Sequence, residues 1–470
     1  MVSLKHHDVD KPPSKRMAAK PMSLSFARIR SLLAAHGDIR HWLVGYSGGA
    51  DSHVLLHLLA RHRHDLQGQT LTAVYIDHGL HPASDQWAQH CEKVCQELGV
   101  AFQTLRVAAG PPPGESPEAV ARRARYRALE SLLGMHHALL TAHHQDDQAE
   151  TLLLQLLRGA GPHGLAAMPT ATSLGRGLLL RPFLDVTRAE ILAYAKQQDL
   201  QWIEDTSNTD FRFDRNYLRH SVIPLLKARW PSVNRSLSRA ACHCAEATLL
   251  LDVLADQDLQ QAASEHLDCL NVAALRRLDE HRQRNALRRW FQHLQLPLPA
   301  TTHLSLVLRE IMTPARDRQP LIRWAGCEVR RYREHLYAMV PLPSHDPARI
   351  FSLRPETPNL YIPSIGQVTL QITRGEGLHA AALAGQPLTI RFRRGGERFR
   401  LQGRSQRQAL KKLLQEVGVP PWERERLPLL YCGEQLAAVA RLGVSADFAA
   451  CPQQEGIILT WQKTAAFDNV

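Results

Sequence analysis

Short apolar runs alternate with segments of helical periodicity over residues 23–143. Apolar stretches of this length, bounded by polar residues, are typical of buried strands. The predicted strands are 41–46, 71–77, 100–107 and 138–143. Between the second and the third, apolar positions at helical spacing predict a helix with Cys91 and Cys95 on its buried face. This alternation predicts βα units and a parallel sheet.

The pattern changes after Trp230-Pro231, where helical periodicity runs over 233–261 and 271–293. A proline-rich stretch at 341–347 precedes short alternating runs, which are typical of an α+β domain. We therefore predict an α/β fold class with an N-terminal parallel-sheet domain, a helical domain and a small C-terminal α+β domain. The predicted segments are a disordered basic tail at 1–22, an α/β domain at 23–230, a helical domain at 231–340, a linker at 341–349 and a C-terminal α+β domain at 350–470.

Composition narrows the class of partner. The 470 residues include 57 Lys and Arg against 45 Asp and Glu, a net charge of +12 that attracts polyanions. This favours nucleic acid, although composition alone leaves a basic enzyme with another substrate equally open. Eight cysteines without a Cys-X-X-Cys pair give no support for a zinc ribbon and fit a reducing cytoplasm. No apolar run is long enough to span a bilayer, so we expect a cytoplasmic protein without a membrane partner.

The most specific motif directly follows the first predicted strand and directly precedes an apolar helix. It reads Ser47-Gly48-Gly49-Ala50-Asp51-Ser52. Paired glycines bring backbone N–H groups close to a ligand, and the helix start adds free donors, so the motif predicts a phosphate site. Asp51 is expected to bind Mg²⁺, since a carboxylate beside phosphates needs a bridging cation. The chain has no Walker-type loop and no Gly-X-Gly-X-X-Gly after this strand, which argues against γ-phosphate transfer and a dinucleotide cofactor.

A second polar segment, 143–151, follows the fourth predicted strand and opens another helix. It should therefore lie at the same carboxyl edge of the sheet, where ligands bind in open α/β sheets. Asp147 and Glu150 are three residues apart on one helical face and can share Mg²⁺ or an ammonium group. His144 beside them is a candidate for proton transfer. The alternative for each residue alone is a helix-end carboxylate or an ordinary strand-end histidine.

Together these segments resemble the pyrophosphatase-loop (PP-loop) ATPase superfamily, with its adenine nucleotide alpha hydrolase-like fold. The wider set is similar to the tRNA(Ile)-lysidine synthetase family. The similar stretches are 76–80, 118–126, 143–151, 156–161, 181–184, 204–210, 215–219, 391–398 and 410–416. One departure is Phe213, where the family commonly has Tyr, and it affects a hydroxyl contact only.

The resemblance implies a reaction in which ATP activates the C2 oxygen of the wobble cytidine in the CAU anticodon of tRNA(Ile). Pyrophosphate leaves, and the ε-amine of L-lysine then displaces AMP to form lysidine. The codon read would change from AUG to AUA. In that reaction Ser47 to Ser52 would hold the ATP phosphates, Asp51, Asp147 and Glu150 would bind metal, and Asp147 and Glu150 would also bind lysine.

The resemblance also implies that residues 23–230 form the PP-loop ATP-binding catalytic domain, and that the helical domain at 231–340 and the C-terminal domain at 350–470 bind tRNA. Basic residues are predicted to make these contacts. Arg122 and Arg125, on a cationic helix, could hold phosphate or the RNA backbone. Phe392 and Phe399 lie among basic residues and are expected to stack on exposed bases. The residues predicted to bind tRNA are Arg288, Arg289, Arg393, Arg394, Arg398, Lys411 and Lys412. The alternative for such charge runs is a solvated surface.

Three other functions are open. A PP-loop tRNA thiolase would need a sulfur-carrying cysteine, and Cys91 and Cys95 lack Cys-X-X-Cys spacing. A small-molecule ATP-pyrophosphatase ligase would not need two additional basic domains. A noncatalytic RNA-binding protein that senses ATP would release no pyrophosphate. The oligomeric state is also open, with a homodimer as one alternative.

Overall fold

The computed structural model describes residues 24–66, 68–77, 84–107, 117–204, 210–264, 269–312, 320–354 and 358–463. The predicted tail at 1–22 and parts of two family-like stretches, 78–80 and 205–209, lie outside the described residues. The chain divides into two compact units, Met1–Leu251 and Asp252–Val470. The boundary between the two units therefore lies within a long helix, whereas the predicted domain boundary at residue 231 precedes that helix. In the described ranges, no helix combines the length and apolarity that crossing a membrane requires.

The first unit is built on a six-stranded sheet with the order β3-β2-β1-β4-β6-β5. Its strands are β1 His41–Gly45, β2 Thr70–Asp77, β3 Ala101–Arg106, β4 His137–Leu140, β5 Ala171–Leu174 and β6 Gly177–Leu180. All neighbours pair in parallel except β5, which is antiparallel to β6. The four predicted strands are confirmed to within a few residues at each end. The chain moves outward from β1 in both directions, so the gap between β1 and β4 is the topological switch point.

Helices cover both faces of this sheet. The helices of this part of the chain are α1 Ala27–Ala34, α2 Ala50–Arg61, α3 Ser84–Leu98, α4 Pro117–Glu130, α5 Gln145–Leu157, α6 Pro162–Leu165, α7 Arg188–Gln197, α8 Asp214–Tyr217, α9 Ile223–Arg229 and α10 Val233–Ala262, which continues into the second unit, with a π-helical turn at Leu218–Val222. Because both faces are covered, the strand sequences are nearly continuous apolar runs. Successive residues of β1 pack on opposite sides, Trp42 and Val44 in one apolar cluster and Leu43 in the other.

The second unit contains helices and antiparallel sheets. Its helices are α11 Val272–Arg276, α12 Glu280–His293, α13 Thr301–Leu306, α14 Ala380–Leu383, α15 Leu410–Glu416 and α16 Pro421–Arg424, with a π-helical turn at Val307–Ile311. Its strands are β7 Cys269–Asn271, β8 Leu321–Trp324, β9 Cys327–Tyr332, β10 His335–Met339, β11 Phe351–Leu353, β12 Asn359–Ile362, β13 Gly366–Arg374, β14 Leu378–His379, β15 Leu388–Arg391, β16 Arg398–Phe399, β17 Gln408–Ala409, β18 Leu429–Cys432, β19 Gln435–Val439, β20 Gly443–Val444 and β21 Glu455–Lys463.

The region predicted to be helical, 231–340, also contains the antiparallel sheet β7-β10-β9-β8. The helices predicted there are present, but four strands were not predicted. Their apolar side chains pack against α12 through residues such as Leu287, Phe291 and Val329, in one cluster. The strands are short and rich in Arg and His, so charged residues obscure the alternating apolar pattern that predicts a strand.

Candidate active site

The predicted phosphate motif forms a tight loop between β1 and α2. Gly48 has a φ of +79°, and a Cβ added there would lie 2.6 Å from the Cδ1 of Ile203. The N–H of Ile203 donates to the Gly48 carbonyl at 2.9 Å, so this chain segment closes directly over the loop. Only glycine combines that backbone conformation with so close an approach. The first N–H groups of α2, which have no partner within a helix, then open toward the space beyond the strand ends.

The two serines of the motif brace the loop from within. The Ser52 hydroxyl donates to the Gly49 carbonyl at 3.1 Å and accepts from the Ser47 N–H at 3.2 Å. The two hydroxyl oxygens are 3.1 Å apart, and the Gly49 N–H donates to the Ser47 hydroxyl at 3.4 Å. These bonds fix the backbone in the form that presents its amides. The serines therefore shape the phosphate site as well as offering hydroxyl groups to it.

The second predicted segment lies at the same edge of the sheet. His144 precedes α5, and the Asp147 carboxylate caps that helix by accepting from the His144 N–H at 3.0 Å. The His144 Nε2 atom is 3.7 Å from the Asp51 Oδ2 and 3.5 Å from the Asp147 Oδ2. One imidazole thus joins the carboxylate of the phosphate loop to a carboxylate of α5. Three of the residues predicted from sequence, Asp51, His144 and Asp147, are brought together at the switch point.

The two adjacent histidines have opposite electrostatic environments. Burial of His144 lowers its pKa, but the contact with Asp51 and the charges of Asp147 and Asp146 outweigh burial and raise the pKa above its ordinary value. Burial lowers the pKa of His143 to about 3, and nearby arginines add to the shift. His143 is therefore neutral near pH 7. A raised pKa makes His144 a stronger base than an ordinary histidine, which suits a group that accepts a proton.

Glu150 and Asp147 form an ion-pair network with two arginines that were not predicted as site residues. Arg215 donates from Nε to the Glu150 Oε2 at 2.8 Å, and Arg219 donates from Nε to the Glu150 Oε1 at 2.6 Å. Arg219 Nη2 also donates to the Asp147 Oδ1 at 3.1 Å. Glu150 is only 1% exposed, so two guanidinium groups satisfy both of its oxygens inside the protein. The four-residue spacing of the arginines, one helical turn, is the sequence signal that could have paired them with two carboxylates.

Asp146 connects the site to the helices that follow. Its carboxylate accepts from Lys227 Nζ at 3.0 Å, from the Asn234 side chain and from the Arg188 N–H at 3.1 Å. Burial acts to raise its pKa, but these donors and the Lys227 charge keep the pKa below its ordinary value. Asp146 therefore stays ionised 3.9 Å from the Nδ1 of His144. It contributes to the raised pKa of that histidine.

The donor set at Asp51 suits a magnesium ion. The Asp51 Oδ1 is buried and has no hydrogen-bond partner among the described residues. Mg²⁺ prefers oxygen ligands and commonly takes one or two carboxylates together with substrate phosphates. No group of three or more His, Cys, Asp or Glu side chains in the described ranges is arranged to hold a metal by itself. A cation here would therefore share its ligands with the nucleotide, and Glu150 could join them only by giving up an arginine.

Arg122 and Arg125 lie on α4, and both are close to one aromatic ring. Their guanidinium carbons are 5.2 and 5.5 Å from the centre of the Tyr126 ring. Burial lowers the pKa of Arg125, and the neighbouring charges of Arg122 and Arg215 lower it further. Neither arginine pairs with a carboxylate of a described residue. The influence of Arg215 indicates that positive charge on α4 extends to the edge of the site.

The two predicted tRNA-binding arginines of α12 have different environments. Arg289 donates to Asp256 at 2.8 and 2.9 Å and to Asp252 at 3.0 Å, so its charge is neutralised by α10. Arg288 is exposed, and no described residue forms an ion pair with it. Only Arg288 of this pair presents an uncompensated charge. The amphipathic pattern of α12 gave no indication of the difference, because the partners of Arg289 lie on another helix.

The predicted basic residues of the C-terminal segment surround a small hairpin. Strand β16 pairs with β17, and Leu410 at the start of α15 donates its N–H to the Glu397 carbonyl at 2.9 Å. Arg394, Arg398, Lys411 and Lys412 are exposed around it, whereas Arg393 is mostly buried and lies 3.7 Å from the Glu397 carboxylate.

The predicted stacking on exposed bases by Phe392 and Phe399 is wrong, because the two rings are 3% and 1% exposed. They belong to the apolar clusters beneath the sheet. The basic residues around them lie at the surface, while the rings point into the core, as alternation along a strand requires.

Comparisons with known proteins agree with the architecture. Residues 23–226 match the family model of a PP-loop domain, 270–337 that of the TilS substrate binding domain, and 388–461 that of the TilS substrate C-terminal domain. The tRNA(Ile)-lysidine synthase of Coxiella burnetii is 42% identical over 419 residues, which cover 88% of this chain and 92% of that protein. The tRNA(Ile)-lysidine synthase of Pseudomonas fluorescens is 44% identical over 414 residues, covering 86% and 89%.

A third relative, from Methylococcus capsulatus, carries the same name and is 42% identical over 420 residues, covering 89% of this chain and 95% of that protein. The similarity extends through both compact units, and the relatives are matched over nearly their whole length. The resemblance seen in the sequence motifs is thereby confirmed. With its PP-loop, its two further matched domains and its full-length relatives, the chain belongs to the tRNA(Ile)-lysidine synthase family.

Proposed function

We propose that the protein ligates L-lysine to C2 of the wobble cytidine in the CAU anticodon of tRNA(Ile), at the expense of ATP. The enzyme is a ligase that forms a carbon–nitrogen bond, and the product is lysidine, which pairs with AUA codons instead of AUG. The observation that carries this proposal is the meeting of the phosphate loop after β1 with His144 and Asp147 after β4. The eight cysteines of the described chain are free, which fits a reducing cytoplasm.

In the first step the C2 oxygen of cytidine attacks the α-phosphorus of ATP. A bond forms between that oxygen and phosphorus, the bond to the bridging oxygen breaks, and pyrophosphate leaves with the electron pair. A pyrimidine carbonyl has no leaving group of its own, and adenylation supplies one. The amides of the loop formed by Ser47 to Ser52 and the start of α2 would stabilise the charge that grows on the departing pyrophosphate.

Asp51 is the residue best placed to hold Mg²⁺, with Asp147 as the second carboxylate. The buried Asp51 Oδ1 lacks a partner among the described residues, and both carboxylates contact the same His144. When bound, the cation would offset the negative charge of the phosphates. Glu150 supports this arrangement by fixing Arg215 and Arg219, and it would bind the metal directly only after an arginine moved away.

In the second step the ε-amine of lysine attacks C2, a carbon–nitrogen bond forms, and AMP departs with the C2 oxygen. We assign the lysine site to Asp147 and Glu150, as their spacing suggests. Asp147 is the direct contact, because the two arginines approach only its Oδ1, at 3.1 and 3.6 Å, whereas each Glu150 oxygen already accepts from an arginine Nε. The ammonium must lose a proton before attack, and His144, with its raised pKa, would accept it.

Basic residues of both units would bind the tRNA. Arg122 and Arg125 would contact phosphate near the site, while Arg288, Arg394, Arg398, Lys411 and Lys412 would contact the backbone farther away. Arg289 and Arg393 are predicted to stabilise the fold and not to contact the tRNA, since carboxylates already lie beside them. A tRNA thiolase is not favoured, because burial raises the pKa of Cys91 and Cys95 to about 12.

Pyrophosphate release in the presence of ATP, lysine and a tRNA(Ile) transcript tests the proposed function. Wild-type protein should release pyrophosphate only with the transcript, and Asp51→Asn should abolish the release. Asp65→Asn is the matched control, because Asp65 lies after α2, away from the carboxyl edge of the sheet. Release that is independent of RNA would refute a tRNA ligase and indicate a small-molecule substrate.

A further inference from the structure

Strongly exposed aromatic side chains are concentrated in one short segment of the first unit. Among the described residues, four aromatic side chains are large and clearly exposed: Phe211 at 56%, Tyr217 at 52%, Trp230 at 58% and Tyr361 at 62%. Three of these four lie between residues 211 and 230. Grouped exposure of large apolar groups is uncommon and marks interaction surfaces.

The aromatic residues lie on the outer side of the same segment that completes the active site. Arg215 and Arg219 are four residues apart and turn inward to Glu150. Tyr217 lies between them, roughly 200° around the helix from each, and so faces outward. One continuous helical stretch therefore carries both the residues that face the active site and the residue that faces outward.

Two of the aromatic residues form a single cluster with a histidine. Tyr217 and His220 are three residues apart and are neighbours on the helix surface. The ring of Phe211 lies 6.0 Å from the ring of His220 with an angle of 69° between their planes. We call Phe211, Tyr217 and His220 the aromatic cluster. Trp230 follows α9, roughly 20 Å farther along the helical stretch, with the Arg229 guanidinium 5.9 Å from its ring.

The charge of the segment selects the partner. Residues 210–230 contain five Lys or Arg and two Asp. Exposed rings beside cations suit unpaired nucleobases and phosphates, because every base offers a face for stacking and every linkage a negative charge. Four of the five cations pair with carboxylates, so among the described residues Arg229 beside Trp230 carries the uncompensated charge of this surface. Tyr217 is also only two residues from the arginines that hold Asp147 and Glu150.

We propose that the aromatic cluster stacks an unpaired base next to the target cytidine in the anticodon loop, and that Trp230 stacks a base farther along the loop. The inference rests on the proposed function, since it takes a tRNA loop as substrate. A cytidine that enters a reaction site must leave its own stack, which costs free energy and leaves its neighbours without partners. Aromatic rings on the segment that completes the site replace those partners and hold the loop open in the reactive position.

Binding of a tRNA(Ile) transcript to the full chain, measured over a range of salt concentrations, tests this surface. Tyr217→Ala and Phe211→Ala should each raise the Kd about tenfold, as expected when one base loses its stacking partner. The slope of log Kd against log salt should stay unchanged, because no phosphate contact is lost. Tyr217→Phe should bind like wild type. Arg229→Ala should instead reduce the slope by about 1.

Leu225→Ala is the matched control, since Leu225 is 74% exposed on the same segment but has no ring to stack. It should leave both Kd and slope unchanged. A fluorescent purine analogue placed next to the target cytidine provides a direct reading: wild type and Tyr217→Phe should quench it, and Tyr217→Ala should not.

Equal Kd and equal quenching for wild type and Tyr217→Ala would overturn the stacking inference. If wild type still releases pyrophosphate with tRNA, ATP and lysine, the proposed function stands and only this inference fails. If wild type releases none, the proposed function itself fails. Dissociation of an oligomer by Tyr217→Ala, with unchanged tRNA binding, would assign the surface to a second copy of the chain and equally overturn the inference.

Discussion

The ion-pair network around Glu150 gives the sharpest test of the site geometry, and Arg219→Ala is the perturbation that probes it. Arg219 donates three hydrogen bonds: two to Glu150 at 2.6 and 2.9 Å and one to Asp147 at 3.1 Å. Glu150 is 1% exposed, so water cannot replace the lost donors unless the structure opens. After the change Glu150 keeps one bond, from Arg215.

Breaking a buried ion pair by removing one partner costs about 3–5 kcal/mol, since an uncompensated charge remains inside. The lower end applies here for two reasons. Arg215 still neutralises part of the Glu150 charge, and the Arg219 side chain is 24% exposed, so it was partly solvated before removal. We expect the first unit to lose about 3 kcal/mol of free energy of unfolding. Arg219→Lys should recover only part of this, because an ammonium cannot reproduce a two-pronged guanidinium contact.

Hydrogen exchange of the α5 and β4 amides reads the stability of the first unit separately from the second. Arg219→Ala should accelerate exchange there, and Arg212→Ala should not, because Arg212 pairs with Asp210 at the surface with its side chain 87% exposed. Equal protection in the two variants would refute the argument that this network is buried and strong. Combining Arg219→Ala with Glu150→Ala should cost less than the sum of the single changes, since the partners act together.

Three other predictions concern the loop, the histidine and the basic surface. Replacing Gly48 by Ala should strongly weaken ATP binding measured by calorimetry, because a φ of +79° is strained for a residue with a Cβ and the Ile203 side chain would have to move away from it; normal binding would contradict the loop geometry. In an NMR titration the pKa of His144 should lie above the ordinary histidine value of about 6.5. Asp51→Asn should lower this pKa, since the contact with Asp51 favours the charged form. As a base His144 works only when deprotonated, so activity should fall as pH falls through the raised pKa; a pKa at or below 6.5 would exclude the observed pairing. Lys412→Ala should reduce the salt slope of tRNA binding by about 1, whereas Arg289→Ala should destabilise the second unit with the slope unchanged; the reverse result would exchange their roles.

The sequence predicts the first sheet well because its strands are buried on both faces. Residues 42–44 of β1 are all buried, so the apolar run that predicts the strand is the physical consequence of helices on both sides. The glycine pair and Asp51 are also predictable, since a strand, a glycine-rich turn and a helix in that order have few other uses. His144 and Asp147 follow from their place after β4, at the same edge of the sheet.

Long-range partners are not predictable in the same way. Arg215 and Arg219 contact carboxylates 65–72 positions away in sequence, and nothing in their own segment identifies which acids they meet. Arg289 resembles a free cation until α10 brings two aspartates beside it. Phe392 and Phe399 are flanked by arginines, yet their rings are buried, because neighbouring residues in extended chain point in opposite directions. In each case the deciding partner comes from another element.

Whether the protein joins lysine to RNA is decided most directly by mass analysis of nucleosides from a tRNA(Ile) transcript incubated with the protein, ATP and isotope-labelled lysine. The geometry predicts one cytidine-derived nucleoside that has gained labelled lysine with loss of water, formed together with AMP and pyrophosphate and absent with Asp51→Asn. Unlabelled nucleosides and intact ATP after incubation with folded wild-type protein would contradict it.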